Sequence, residues 1–195
     1  KWFAKKIGFN DSSGGIAASG GTLSNLNALI AARYNSGLGS DPNSVLLVSE
    51  DAHSSFIKCT RIMGLDEANL IRIKTDKTGS MDIQNLRETI DKCFIDEKKI
   101  FAIVATLGTT VRGAIDPIKD ISEICKERNI WLHVDGSIGG IFAVTSIPIK
   151  GLNSINQANS ITINPQKIIG ITKTSSLLLV SQLSTLKNTF STGLP

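Results

Sequence analysis

Residues 160–180 read SITINPQKIIGITKTSSLLLV and place one lysine, Lys167, between two strand-like runs. The alternating residues 160–163 and the apolar residues 175–180 are both predicted to be strands, and an Asn-Pro pair ends the first of them. Lys167 is therefore expected in a turn. A lysine in a partly apolar cleft can lose its proton and form a Schiff base, whereas a solvated loop lysine only adds charge. The local sequence leaves both possibilities open.

Toward the N-terminus, strand-like runs alternate with helical patterns that are joined by short connections. Strands are predicted within 14–22, where a tight turn follows, and at 45–49, 70–74, 101–106 and 131–135, with helices at 1–9, 23–34, 56–63, 81–94 and 118–128. This order of elements is typical of an α/β fold with a mainly parallel sheet. One domain with a sizeable core is expected for a chain of 195 residues.

The helix predicted at 81–94 has a clear apolar period. Ile83, Leu86, Ile90 and Phe94 recur at helical spacing. All four side chains are therefore expected to face the core.

Composition and charge exclude several classes of protein. The chain is 41% apolar and 19% charged with a net charge of +4, which is ordinary for a globular domain. Its basic residues are interleaved with acidic ones and form no stripe with aromatics, so nucleic acid is not an expected partner. No apolar run approaches the roughly 20 residues of a membrane span. The chain begins at Lys1 without a methionine, which we interpret as a piece of a longer protein.

The three cysteines, Cys59, Cys93 and Cys125, are far apart in the sequence and include no C-x-x-C pair. An odd number of scattered cysteines without a nearby histidine favours reduced, mostly buried thiols over a disulfide framework or a zinc site. We therefore expect a cytoplasmic protein without a structural metal.

Candidate functional residues follow the predicted strands. His53, Thr110 and Asp135 come at or just after the ends of three strands, and right-handed crossovers place those ends along one edge of a parallel sheet. The glycine-rich turn before the helix at 23–34 could accept a phosphate through free backbone N–H groups and the helix dipole. Taken singly, each of these residues is at least as often a turn former or a helix cap.

Together these residues match the needs of one cofactor. Pyridoxal phosphate has a phosphate group, a flat ring, a ring nitrogen that must stay protonated and an aldehyde that a lysine can hold. Five segments in this order resemble the successive motifs of the group II pyridoxal-phosphate-dependent amino acid decarboxylases, which include glutamate, aromatic amino acid, histidine and diaminobutyrate decarboxylases. The segments are SGGTLSN at 19–25, DAHSS at 51–55, ATLGTT at 105–110, WLHVD at 131–135 and NPQK at 164–167.

The resemblance implies a role for each matching position. Lys167 would form the Schiff base with pyridoxal 5'-phosphate, Asp135 would pair with the pyridine nitrogen and His53 would stack on the ring. Four further residues would complete the cofactor site. Gly21 and Thr22 would hold the phosphate, Asn164 would add a hydrogen bond, and Thr110 would lie beside the ring.

The resemblance also implies the architecture and the reaction. The chain would be most of the large domain of the aspartate-aminotransferase-like fold type I, residues 1–195, with three layers and a mainly parallel seven-stranded sheet. Upstream helices and a small C-terminal domain would lie outside it. The whole protein would work as a homodimer with the active site at the interface, and it would decarboxylate an L-amino acid to an amine and CO₂.

Two positions depart from the commoner family pattern. Gln166 stands where a histidine more often precedes the lysine, and Gly136 with Ser137 stands where two alanines are common. Because glutamine carries no proton at neutral pH, an acid-base role at position 166 is in doubt. Two alternatives therefore stay open, namely another reaction of the same cofactor, such as aldol cleavage or amino transfer, and a non-catalytic cofactor-binding paralogue. The sequence identifies neither the amino acid substrate nor the group that protonates its Cα.

Overall fold

The computed structural model describes residues 1–172 and 175–192, which form seven helices and seven strands with three short 3-10 helices. The α-helices are α1 (Trp2–Lys6), α2 (Gly21–Asn35), α3 (Ser55–Ile62), α4 (Ile83–Ile95), α5 (Ile118–Arg128), α6 (Pro165–Ile168) and α7 (Leu183–Phe190). The strands are β1 (Gly14–Ala18), β2 (Ser44–Ser49), β3 (Leu70–Ile73), β4 (Lys99–Thr106), β5 (Trp131–Gly136), β6 (Ser160–Ile163) and β7 (Ser176–Val180). The 3-10 helices are Glu67–Asn69, Gly139–Val144 and Leu152–Gln157.

The strands form a seven-stranded sheet in the order β1-β7-β6-β5-β4-β2-β3. The strands from β3 through β2, β4 and β5 to β6 pair in parallel, whereas β7 runs antiparallel to both of its neighbours, β6 and β1. The predicted α/β fold with a mainly parallel, seven-stranded sheet is confirmed. Parallel pairing places the carboxyl ends of β2, β4, β5 and β6 at one edge of the sheet.

Both faces of the sheet are covered by helices, which gives three layers. On β4, Ile103 and Ala105 belong to the core cluster that also contains α4 and α5 residues, while Ala102 and Val104 belong to the cluster with α2 and α3 residues. Strands buried on both faces carry apolar residues on both sides of the pleat, which is why β2 and β4 are continuous apolar runs.

The prediction of which α4 side chains face the core is only partly correct. Leu86 and Ile90 are buried as predicted, but Phe94 is 50% exposed and Cys93 is buried in its place. At about 100° per residue, Cys93 lies only about 20° around the helix from Leu86, whereas Phe94 lies about 80° away. The Phe94 ring instead packs under the guanidinium of Arg128, whose carbon lies 5.4 Å from the ring centre.

Two further expectations concern Lys167 and the cysteines. Lys167 lies in the short helix α6 rather than in a turn, because Pro165 fits the first turn of a helix and Asn164 precedes it. The three cysteines are free and buried, as predicted. Among the helices of the described residues, none is both long and apolar enough to cross a membrane.

Candidate active site

A cavity of about 590 Å³ opens at the sheet edge where β2, β4, β5 and β6 end. Its walls include all of the residues that the sequence suggested for the cofactor. These residues are Gly21, Thr22, His53, Thr110, Asp135, Asn164 and Lys167.

One wall of the cavity is the N-terminus of α2. Gly20 caps this helix without a side-chain hydrogen bond, and its carbonyl oxygen accepts bonds from the amides of Leu23 and Ser24. Within the described residues, the amides of Gly21 and Thr22 donate to no protein acceptor. Unpaired N–H groups at the positive end of a 15-residue helix form a favourable position for a phosphate.

Gly21 lies in close contact with the opposite wall of the cavity. A Cβ atom at this position would lie 2.5 Å from Nδ2 of Asn164 and 3.0 Å from Oγ of Ser137. The Asn164 side chain cannot easily move away, because its Oδ1 accepts a hydrogen bond from the buried hydroxyl of Ser176. That hydroxyl also contacts Oγ of Ser24 on α2 at 2.7 Å. Any side chain at position 21 would therefore enter the space between α2 and Asn164.

The carboxylate of Asp135 lies at the end of β5 and is only 5% exposed. Its Oδ1 accepts from the amide of Ser137 at 3.1 Å, and its Oδ2 accepts from Nδ2 of Asn25 at 3.0 Å. Both contacts hold the carboxylate in one orientation at the cavity wall.

Lys167 projects from α6, and its side chain is exposed. The backbone of this residue is fixed because its amide donates to the carbonyl oxygen of Asn164 at 3.1 Å. The neighbouring Gln166 also lines the cavity, and its Oε1 accepts from the amide of Ser175 at 3.0 Å. Gln166 thus links α6 to the chain just before β7. This contact uses the amide oxygen as an acceptor and needs no titratable proton.

His53 and Thr110 are two of the exposed residues in the cavity wall. The amide of Ser55 donates to Nδ1 of His53 at 3.1 Å, so the proton of a neutral His53 ring belongs on Nε2. Thr110 lies in the loop after β4, which is closed by a hydrogen bond from the amide of Ala114 to Oγ1 of Thr109 at 3.0 Å.

Three residues near the cavity were given no role on the basis of the sequence. Thr106 lines the cavity, is 4% exposed, and its buried Oγ1 has no hydrogen-bond partner within the described residues. Ser137 and Asn25 hold Asp135. Asn25 falls within the first quoted motif but attracted no prediction, because its contact with Asp135 joins residues that are 110 positions apart.

Cys59 lies beside the same helix terminus without being reactive. Its Sγ is 3.8 Å from the carbonyl oxygen of Thr22, to which the thiol donates. Burial, and secondarily the charge of Asp135, raise the pKa of this thiol to about 12. The thiolate is therefore negligible at neutral pH.

Comparison with known proteins identifies the family. Residues 1–193 match the family model of the pyridoxal-dependent decarboxylase conserved domain. The chain belongs to this family. An acidic amino acid decarboxylase of Xenopus tropicalis is 36% identical over 162 residues, which are 80% of this chain and 32% of that protein. An aromatic-L-amino-acid decarboxylase of Bacillus atrophaeus is 31% identical over 166 residues, which are 85% of this chain and 35% of that protein.

A solved structure shares this fold. The crystal structure of mouse CSAD superimposes with a TM-score of 0.93 at 28% identity, covering 100% of this chain and 42% of the mouse chain. The chain thus spans about a third of the two curated relatives and less than half of the mouse structure.

Proposed function

We propose that this chain forms the cofactor-binding large domain of an enzyme that decarboxylates an L-amino acid with pyridoxal 5'-phosphate. Residues 1–195 would then be part of a longer protein whose other segments complete the enzyme. The observation that carries this proposal is that Lys167, Asp135 and the free amides at the start of α2 line one cavity. Membership of the pyridoxal-dependent decarboxylase family supports it.

The residues present fit this cofactor. The amides of Gly21 and Thr22 offer donors for the phosphate, and the absence of a side chain at Gly21 leaves room beside Asn164. Asp135 offers a carboxylate for the protonated ring nitrogen. The unpaired hydroxyl of Thr106 gives the cavity one more polar atom that lacks a partner within the described residues.

Each residue would then contribute to the reaction in a definite way. Bound pyridoxal phosphate supplies an electron sink that stabilises the negative charge left on Cα when CO₂ departs. The amine of Lys167 would hold the cofactor's aldehyde as a Schiff base. Asp135 would keep the proton on the ring nitrogen, and the His53 ring would stack on the cofactor and help to exclude water.

The remaining residues position the cofactor. Thr110 lines the same cavity as His53, and Asn164 offers its Nδ2 next to Gly21. The whole protein is proposed to be a homodimer with this cavity at the interface. It is proposed to be cytoplasmic, and three free thiols fit a reducing compartment.

The experiment that tests this proposal measures the release of CO₂ from a panel of L-amino acids by the full-length protein loaded with cofactor. The panel includes acidic and aromatic amino acids, because the names of the two curated relatives cover both classes. We expect CO₂ and an equimolar amine from at least one of them. Lys167→Arg should abolish this release, whereas Lys126→Arg, a change on α5 where the native lysine bonds Gln157, should not.

A protein that binds the cofactor but releases no CO₂ from any amino acid would contradict the proposal. Transfer of the amino group to a keto acid, or cleavage of a β-hydroxy amino acid, would instead identify another reaction of the same cofactor.

A further inference from the structure

A buried chain of side chains leads from the start of β5 to Asp135. Trp131 Nε1 lies 2.8 Å from Oγ of Ser160, and the same Oγ lies 2.8 Å from Nδ1 of His133. Nε2 of His133 lies 3.1 Å from Oδ1 of Asn25, whose Nδ2 lies 3.0 Å from Oδ2 of Asp135. His133 and Ser160 are 0% exposed and Asn25 is 1% exposed, so water does not compete for these contacts.

At the Asp135 end of this hydrogen-bond chain, the chemistry of the groups determines which atoms carry the protons. A carboxylate only accepts hydrogen bonds, so Asn25 must present its NH₂ group to Asp135. The carbonyl oxygen of the same amide then faces His133 and can only accept. Nε2 of His133 must therefore carry a proton.

The Trp131 end of the hydrogen-bond chain determines the positions of the remaining protons. An indole N–H only donates, so Trp131 donates to Oγ of Ser160. The hydroxyl proton of Ser160 is then free to point at Nδ1 of His133, which accepts it. A neutral His133 with its proton on Nε2 satisfies every atom of the chain.

The burial of His133 agrees with this assignment. Desolvation lowers the pKa of its imidazole to about 4, although the nearby charge of Asp135 and, after it, a contact with the backbone of Ser160 act in the opposite direction. A second proton would have to be placed on Nδ1, which would then donate to Ser160 instead of accepting from its hydroxyl, and the one-way order of the hydrogen bonds would be lost. His133 thus stays neutral at physiological pH.

We propose that Trp131, Ser160, His133 and Asn25 form a one-way hydrogen-bond chain that orients the Asp135 carboxylate toward the cavity, with Asn25 and His133 as positioning residues. This inference rests on the proposed function in one respect, namely that Asp135 is the partner of the cofactor's ring nitrogen. Successive donors polarise one another, so each member strengthens the contact of the next. The chain also ties α2, β5 and β6 together behind the carboxylate.

The first test needs no cofactor and no activity. In the full-length protein with ¹⁵N-labelled histidine, the His133 ring should show a protonated Nε2 and an unprotonated Nδ1 from about pH 7.5 down to about pH 5.5. The His133 signal is assigned by its loss in His133→Gln and, independently, by its shift in Ser160→Ala, which removes the donor to Nδ1 together with the acceptor of the Trp131 indole N–H. A His133 ring that is protonated on Nδ1, or one that titrates near its ordinary pKa, would contradict the proposed hydrogen-bond chain.

The second test asks whether the chain positions Asp135 for the cofactor. In the loaded full-length enzyme, Asn25→Leu should weaken cofactor binding and lower kcat by about 10- to 100-fold, with little change in the KM for the amino acid. Asn25→Leu should also shift the pH at which the absorption of the bound cofactor changes, whereas a purely structural change would leave that pH unaltered. Ser160→Ala should have a smaller effect of the same kind, because Asn25 still bonds Asp135.

Thr162→Val is the matched control. Thr162 pairs with Asp135 in the β5–β6 register, and its buried Oγ1 has no hydrogen-bond partner among the described residues. Its replacement should leave cofactor affinity and absorption unchanged. If the parent enzyme binds cofactor but Asn25→Leu and Thr162→Val behave alike, the positioning role is wrong. If the parent binds no cofactor, the proposed function fails while the histidine signals still test the chain.

Discussion

Replacement of His133 by glutamine should change how the stability of the protein depends on pH. The folded protein holds this imidazole neutral, because full burial lowers its pKa from 6.5 to about 4. Between these two values the unfolded chain binds a proton that the folded protein excludes. Acidification through this window therefore favours unfolding, and the stability that is present above pH 6.5 is lost toward pH 4.

The magnitude follows from the two pKa values. A difference between 6.5 and about 4 corresponds to about 3 kcal/mol of unfolding free energy over the whole window. Glutamine does not titrate, so the variant does not lose this unfolding free energy on acidification. At neutral pH the variant should be less stable than the parent, because the hydrogen bonds to Ser160 and Asn25 are disturbed.

The assay is urea unfolding of parent and variant at about pH 7.5 and about pH 4.5, and the stability difference between them should narrow by about 2 kcal/mol or more on acidification. The fluorescence of the half-buried Trp131 on β5 follows the unfolding of the sheet. Thr162→Val serves as the control for a buried change on the neighbouring strand. Parallel pH profiles for parent and His133→Gln would refute the neutral, buried imidazole.

Three further predictions concern other parts of the molecule. Gly21→Ala should weaken cofactor binding about 10-fold or more, since its Cβ would lie 2.5 Å from Nδ2 of Asn164. Gly20→Ala should not, because a Cβ at Gly20 has no atom of the described residues within 4 Å, and equal affinities of the two variants by titration would contradict a phosphate site at Gly21. Burial raises the pKa of Asp116 to about 6, so its folded carboxyl keeps a proton that the unfolded chain loses, and stability should fall as the pH rises from about 4 to about 6. Asp116→Asn should remove that fall of about 3 kcal/mol from the unfolding free energy, and an unchanged profile would show that the group does not titrate there. Burial raises the pKa of the Cys125 thiol to about 12, so alkylation followed by mass spectrometry should modify it in urea but hardly at all in the native protein, and fast native labelling would contradict its burial.

The fold was largely predictable because its signals are local. The strand-helix order, the start of α5 after Pro117 and the buried runs of β2 and β4 each follow from a few neighbouring residues. The convergence of His53 and Asp135 on one cavity also followed, because parallel strands bring their carboxyl ends to one edge.

The parts that could not be predicted depend on contacts between distant segments. Nothing in the spacing of Asn25, His133 and Ser160 reveals that they form one chain, since those contacts span 108 and 27 residues. Phe94 differs for another reason, because its apolar side chain fits the period of α4 but lies to the side of the stripe that the core covers. The roles of the residues in the cavity remain predictions that the experiments above address.

The central claim is that Lys167 holds the cofactor, and chemical trapping tests it most directly. The full-length protein is incubated with pyridoxal phosphate, reduced with borohydride and digested, and its peptides are analysed by mass spectrometry. We expect a stable phosphopyridoxyl group on Nζ of Lys167, and we expect none at this site in Lys167→Arg. Reduction that leaves Lys167 unmodified, or that labels other lysines equally, would contradict the account.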